Sequence, residues 1–262
     1  MVKTFRVKNW GDFLDKLFYD THDDRIDRFR SPYIYRGLNL ASDPLTTSLH
    51  RLGGDTPTLE KHLLRNFRKY AHTSEISGGN TWNWLALAQH HGLPTRLLDW
   101  SYSPLIAAHF ALTELESFSE DGVIWALNYV NLNRHLPEKL KIAIEKERSN
   151  TFTVDMLKEV CKDLEELNKT GTDPFVLFLE PPSIDERILN QYALFSLMSN
   201  SKIQLEDWLH NDKEYYFKII IPKELKWEFR DKLDQANITE RVLKPGLDGL
   251  SQWLKRHYSS KP

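Results

Sequence analysis

Apolar residues recur every three or four positions in several segments of the chain, a pattern typical of helices with one buried face. The clearest case places Leu59, Leu63 and Phe67 on one side of a long segment. The same spacing predicts helices in the segments NWGDFLDKLFYD, TLEKHLLRNFRKYAH, WNWLALAQHH, LIAAHFALTEL, PKELKWEFRDKL and LDGLSQWLKRHY.

Helix end signals accompany this pattern near the middle of the chain. Thr81 is predicted to cap the start of WNWLALAQHH, and Gly92 stands where a glycine commonly follows a helix. Ser103 and Pro104 have the N-cap and first-turn chemistry that opens a further helix. The stretch QHHGLPTRLLDW is therefore predicted to begin as a helix end and to continue as an irregular connector.

Short runs rich in β-branched and aromatic residues predict strands between these helices. They are YIYRGL, GVIWALNYV, PFVLFLEPP, ALFSLM, YYFKIIIP and ITERVLKPG. No repeat or low-complexity linker divides the chain, so we expect an α+β fold in which residues 1–262 form a single compact domain. Its small mixed sheet would be flanked by several helices, with a charged helical insertion at about 131–170.

Composition narrows the classes of partner and compartment. The net charge of -2 gives no strong nucleic-acid-binding signature. The N-terminus lacks an apolar core of signal-peptide length, and no apolar run is long enough for a membrane span. Cys161 is the single cysteine and reads as a small apolar helix residue. We expect a cytoplasmic protein without a membrane partner.

Two adjacent histidines begin the candidate chemistry. Helical spacing turns His91 towards Leu87 and Trp84, the side predicted to be buried, and turns His90 towards a more polar side. Asp99 could orient either imidazole for acid–base chemistry, or it could pair with Arg96 and brace the connector.

Arginines supply the candidate anion-binding groups. Arg36 ends an apolar strand, and Gly37 after it would let a backbone or ligand approach closely. Pairing of Arg36 with Asp99 or Glu180 inside the protein is the alternative. Arg187 and Gln191 are a further candidate pair for a polar ligand.

Other polar residues extend the predicted pocket or compete with it. Thr47 and Ser48 lie in a hydroxyl-rich segment that could line a pocket or simply alternate on a strand. Gln89 and Arg96 are expected beside the histidines. A metal site would need convergence of side chains such as His90, Asp99 and His109, and we predict none, because His109 falls on an apolar helix face.

These stretches together resemble the FRG domain, a family named for an aromatic-Arg-Gly motif. The motif's aromatic is Tyr35 here. The resemblance runs from about residue 33 to 250 and is carried by YIYRGL, TTSLHR, LALAQHHGLPTRLLDWSYSPLIAAHFAL, ERILNQYALF and NITERVLKPGLDGL. The family is widespread in bacteria and phages and has a poorly defined biochemical role, so it implies a toxin- or phage-defence-related setting more than a reaction.

A second similarity is to ADP-ribosyltransferases of the Arg–Ser–Glu type. It implies that Arg36 holds the phosphates of NAD as cofactor, that Thr47 and Ser48 form the hydroxyl strand, and that Glu240 is catalytic. The usual Glu-x-Glu pair is missing, because Ile238 stands two residues earlier.

The leading hypothesis is an enzyme that acts on a nucleotide or nucleic-acid phosphate. Arg36 would bind the anion, His90 or His91 would be the acid/base, and Asp99 would orient the imidazole. The alternatives are the NAD-using transferase, a non-catalytic module that recognises a ligand or a protein partner, and a purely architectural cluster.

Overall fold

The computed structural model describes residues 2–71 and 79–260 of the chain. In this part of the chain the strands are β1 (Lys3–Arg6), β2 (His22–Asp23), β3 (Arg28–Phe29), β4 (Tyr33–Leu38), β5 (Leu97–Ser101), β6 (Gly122–Asn128), β7 (Val176–Leu179), β8 (Ala193–Met198) and β9 (Tyr216–Ile221).

The helices of the same ranges lie between these strands and after the last of them. They are α1 (Trp10–Leu17), α2 (Ser48–Arg51), α3 (Thr56–Tyr70), α4 (Thr81–His90), α5 (Pro104–Phe110), α6 (Tyr129–Leu132), α7 (Glu138–Lys146), α8 (Val154–Val160), α9 (Leu164–Lys169), α10 (Glu186–Asn190), α11 (Leu205–Trp208), α12 (Lys226–Gln235), α13 (Glu240–Leu243) and α14 (Leu247–His257).

A seven-stranded mixed sheet organises the fold, in the order β1-β9-β6-β4-β5-β8-β7. β1 runs parallel to β9, and the other neighbouring strands are antiparallel. Strands β2 and β3 form a separate hairpin. The predicted α+β class with a mixed sheet and flanking helices is confirmed. That residues 1–262 form one domain stays a prediction.

The centre of the sheet is covered on both faces, which explains why β6 reads as an unbroken apolar run. Tyr35 lies in a core with α1, α5 and α12, whereas its neighbour Ile34 faces the opposite core with Trp125. The alternation follows from the two-residue period of a strand. Helix α5 packs closely on β4 at Gly37, because any side chain at this position would collide with the backbone of the helix.

The sheet contains a split between β4 and β5. These two strands pair only at Tyr35 and Ser101. Beyond that pair, β4 continues along β6 through Leu38, while β5 runs along β8 as far as Leu97. Two of the candidate functional residues, Arg36 on β4 and Asp99 on β5, lie on either side of the split.

Two local predictions are wrong. The connector after Gly92 contains β5, because Arg96 and the alternating side chains after it pack into the sheet. The segment ITERVLKPG is not a strand, since α13 begins at Glu240. In addition, Asn80 rather than Thr81 caps α4, and its side chain accepts hydrogen bonds from the next backbone amides. Ser103 caps α5 as predicted, and Gly92 has the positive φ of 77° expected after a helix.

The charged stretch at about 131–170 contributes to the core. Its helices α7, α8 and α9 bury Leu140, Ile144, Leu157 and Leu167 against β7 and α4. The charged residues lie on the outer sides of these helices, as expected for amphipathic elements.

Candidate functional site

The split between β4 and β5 leads into a cavity of about 410 Å³, which we call the arginine cavity. Arg36 lies against it, with 19% of its side chain exposed. Nη1 of Arg36 donates a 2.6 Å hydrogen bond to the backbone oxygen of Asp99, which spans the split. Nε of Arg36 is buried and has no partner among the described residues. Burial lowers the pKa of this guanidinium, and the nearby Asp99 charge partly offsets the effect.

Residues from distant parts of the chain complete the wall of this cavity. Seven predicted site residues are brought together here: Arg36, Gly37, Gln89, His90, Asp99, Arg187 and Gln191. Arg51 also contributes, although no sequence pattern singles it out. The cavity therefore carries three arginines from β4, α2 and α10.

Gln89 fixes the geometry around Asp99. Its amide nitrogen donates a 2.8 Å hydrogen bond to Oδ2 of Asp99, and its amide oxygen accepts one of 2.5 Å from Thr95. Nη1 of Arg36 lies 3.9 Å from the same Oδ2, a loose ion pair. Asp99 thus faces the cavity with its carboxylate positioned and 57% of its side chain exposed.

His90 is oriented by an aspartate other than the predicted one. Its Nε2 lies 2.6 Å from Oδ2 of Asp185, and only 12% of the His90 side chain is exposed. The other oxygen of Asp185 caps α10 by accepting from the backbone nitrogen of Ile188. Because the cap fixes this carboxylate, the contact restricts the imidazole to one orientation at the cavity wall.

His91 occupies the opposite environment from the one predicted. It is exposed at the end of α4, and its ring meets that of His90 edge to face at 5.2 Å. The buried side of α4 carries Leu85, Ala86 and Ala88, whereas Trp84 is only partly buried. Leu87, four positions before His91, is buried as well, so helical spacing does not separate the two histidines. Helix α4 ends at His90, and His91 is the C-cap residue beyond it.

Arg96 lies away from the cavity, in a buried ion pair with Glu60 whose two side chains are each 3% exposed. Its Nε donates to both carboxylate oxygens of Glu60, at 2.9 and 2.8 Å. Its Nη1 donates to Asn168 and to the backbone oxygens of Met198 and Ser199. The partner of Arg96 is thus Glu60 and not the predicted Asp99, and Arg96 joins α3 to the sheet outside the arginine cavity.

Thr47 and Ser48 are tied into the start of α2. Thr47 caps this helix by accepting from the backbone nitrogen of His50, and Ser48 accepts from that of Thr95. The segment begins a helix because its hydroxyls satisfy free amides, so the predicted strand alternative is wrong. Neither residue lines the arginine cavity, and their ligand role stays a prediction.

Glu240 also lies outside the arginine cavity. Arg256 holds it through two hydrogen bonds, from Nε to Oε1 at 2.6 Å and from Nη2 to Oε2 at 2.7 Å. Burial raises the pKa of Glu240, but the hydrogen bonding and charge of Arg256 outweigh burial and leave the pKa at about 2. Its carboxylate is thus committed to an ion pair that joins α13 to α14.

His109 lies behind Glu240 as a neutral core histidine. Burial, followed by the charge of Arg230, lowers the pKa of His109 to about 3. Its Nδ1 accepts a 2.9 Å hydrogen bond from Nη1 of Arg230, which requires an unprotonated nitrogen there. Within residues 2–71 and 79–260, no three His, Cys, Asp or Glu side chains converge as a metal site would require.

Glu240 makes a testable contribution to acid stability. A carboxyl with its pKa near 2 in the folded protein and 4.5 when unfolded stabilises the fold above pH 4.5, by about 3 kcal/mol. This stabilisation is lost as the pH falls through 2. Glu240→Gln should therefore lower the free energy of unfolding at pH 7 by about that amount, and its difference from the wild type should narrow between pH 5.5 and 3. Guanidinium titrations check this, with the exposed Glu228→Gln as control; a gap independent of pH would contradict it.

Asp185, Glu60 and Arg51 are the important residues that sequence reasoning missed. Asp185 had a detectable signal, since it precedes a short helix as Asp commonly does at N-caps. Its contact with His90 joins residues far apart in the chain, and no local pattern announces such a contact. The same holds for Glu60, which looks like one of many charges on an amphipathic helix.

Comparison with known families supports the first of the two resemblances. A family model described as the FRG domain matches residues 31–120. Residues 31–120 are therefore similar to the FRG domain. The match includes the residues of β4, α4 and β5 that line the arginine cavity, whereas the FRG model ends before Arg187 and Gln191 complete it. A search of curated proteins found no match to the chain, and neither did a search of solved structures.

Among the residues that the structure describes, none of the helices is both long and apolar enough to cross a bilayer.

Proposed function

We propose that the arginine cavity binds the phosphate of a nucleotide-type ligand and that the chain is an enzyme acting at that phosphate. The observation that carries the proposal is Arg36: an arginine beside an open cavity whose buried Nε has no partner among the described residues. A toxin- or phage-defence-related setting is what the FRG resemblance adds.

The position of Arg36 favours an anion from outside over an internal carboxylate. A buried guanidinium without a full set of acceptors is costly, and a phosphate offers several acceptors in a matching planar arrangement. The carboxylate of Asp99 comes no closer than 3.9 Å and already accepts from Gln89, so it satisfies Arg36 only in part. Arg187 faces the same space from α10.

Carboxylates in the wall weigh against a purely anionic ligand. Asp43 and Glu114 are exposed, so solvent screens their repulsion of a phosphate more than it screens the attraction of Arg36. Asp99 and Gln89 offer acceptors for hydroxyl or amino groups. A phosphate attached to a sugar or base uses both kinds of wall, and about 410 Å³ is within the range of small-ligand sites.

His90 supplies the acid–base group. If its Nε2 carries the proton towards Asp185, Nδ1 is free to accept a proton from a hydroxyl or water beside the bound phosphate. Asp185 then acts as a positioning residue that stabilises the imidazolium. The ribosyl-transfer alternative lacks such a group, because the carboxylate of Glu240 is bound to Arg256.

Turnover and binding of a nucleotide panel test this proposal. The purified chain is incubated with the four common nucleoside mono- and triphosphates and with NAD, while calorimetry reports binding and ³¹P NMR and chromatography report products. We expect His90→Gln to bind the active ligand normally and to lose about a hundredfold or more in turnover, because the proton acceptor is gone.

His91→Gln is the matched control, since it removes the adjacent exposed imidazole and should keep full turnover. Binding without any product would replace the enzyme by a recognition module. Equal activity of the His90 and His91 variants would show that His90 is not the acid/base. Release of nicotinamide from NAD would favour the transferase hypothesis.

A further inference from the structure

A second cavity, of about 320 Å³, adjoins the arginine cavity. We call it the lysine cavity, because its wall contains Lys244, which follows α13, and Lys255 of α14. Four residues line both cavities: Phe110, Thr113, Arg187 and Gln191. The two spaces are therefore neighbours that share one wall, and Arg187 can reach a ligand in either of them.

The lysine cavity has an excess of positive charge. Glu240 is neutralised by Arg256 within the wall, which leaves Glu116 as the exposed carboxylate facing Lys244, Lys255 and Arg187. Lys244 donates to the amide oxygen of Gln252 at 3.1 Å, a neutral acceptor that leaves its charge available. His109 lies in the same wall and adds no charge, because its low pKa keeps the imidazole neutral.

The shared wall also has an apolar part. Phe110 is half-buried at the end of α5, and Leu243 of α13 also lines the lysine cavity. An aromatic ring next to cationic side chains is the combination that binds a nucleobase with its phosphate, since bases stack on aromatic rings regardless of their identity.

We infer that the ligand consists of two nucleotide units joined through phosphate, one unit in each cavity, with the linkage at Arg187. This rests on the proposed function and specifies its substrate class. Each cavity is of a size for one nucleotide unit. Arg36 would bind the phosphate of the first unit, and Lys244 and Lys255 would bind the charge of the second.

Calorimetry of the full chain tests the inference. The probes are the tightest-binding nucleoside monophosphate of the panel, its 3′,5′-linked dinucleotide and its 5′,5′-pyrophosphate-linked dinucleotide. We expect one dinucleotide to bind at least about tenfold more tightly than the monophosphate, because it adds charged hydrogen bonds. Whichever binds more tightly identifies the linkage.

Variants assign that gain to the lysine cavity. Lys244→Gln combined with Lys255→Gln should remove the roughly tenfold gain and leave monophosphate affinity unchanged. Lys232→Gln, which removes a lysine paired with Glu228 on α12, is a single-charge control away from both cavities and should change neither affinity. The thermal midpoint of each variant verifies folding, and both lysines are at the surface or half-buried.

The outcomes are distinguishable. Dinucleotides that bind no more tightly than the monophosphate, or lysine variants that weaken both equally, overturn the inference and leave the proposed function standing. Failure of every monophosphate and dinucleotide to bind a folded protein overturns the proposed function itself.

Discussion

Replacing Glu60 by alanine should lower the free energy of unfolding by about 3–5 kcal/mol. Arg96 is buried with Glu60, and Glu60 accepts from both its Nε and its Nη2. Without the carboxylate, a positive charge would remain in a site that excludes water. The neutral acceptors of Asn168, Met198 and Ser199 engage only Nη1 and cannot replace it.

Thermal and guanidinium unfolding measure this loss, which corresponds to a fall of roughly 10 °C in the midpoint for a chain of this size. The exposed pair Lys232–Glu228 is the control, since Glu228→Ala should cost less than about 1 kcal/mol. Glu60→Leu with Arg96→Met should recover part of the loss, because no charge is then stranded. A single variant as stable as the wild type would mean that water reaches Arg96.

Gly37→Ala should be destabilised by about 3 kcal/mol or more. A β-carbon at this position would lie 1.9 Å from the backbone oxygen of Ala107 and 2.6 Å from the backbone nitrogen of Ala111. Both atoms belong to the backbone at α5 and its end, so no side chain can turn away. Helix α5 would have to move from β4, and with it the cavity wall at Phe110.

Gly11→Ala is the matched control, because its added β-carbon would meet only the side chain of Asn9, at 3.4 Å. Gly11 lies within α1, where alanine is favoured by roughly 0.5–1 kcal/mol. Circular dichroism melts of both variants give the comparison. Similar melting temperatures would show that α5 can shift freely and that the motif glycine serves a ligand rather than packing.

The sequence predicts the helices and most strands because their side chains repeat with the periods that burial requires. It misses β5, since Pro94, Thr95 and Arg96 just before its start resemble loop residues, whereas its pairing with β8 is decided by the tertiary fold. Glu240 is read as part of a strand because its apolar neighbours favour one, whereas its pairing with Arg256 is decided by the tertiary fold.

The candidate site is predictable in membership more than in roles. Arg36, Gln89 and Asp99 are recognisable as polar residues in an apolar setting, and they do lie together. Which histidine lies at the cavity depends on where α4 ends, and the partner of His90 is the N-cap residue of α10. Such pairings join elements distant in sequence, and helical periodicity carries no information about them.

Because Arg36 bonds to the carbonyl oxygen of Asp99, the spacing between β4 and β5 depends on the identity of one inherited side chain. Elsewhere the strands are joined by main-chain groups, which every amino acid except proline possesses, so drift in sequence leaves them intact. Across the split, the side chain of Arg36 joins the two strands, together with the single main-chain pair of Tyr35 and Ser101. A mutation in the codon for Arg36 therefore changes both the joining of the two strands and the shape of the cavity between them. Natural selection acts on the two properties together.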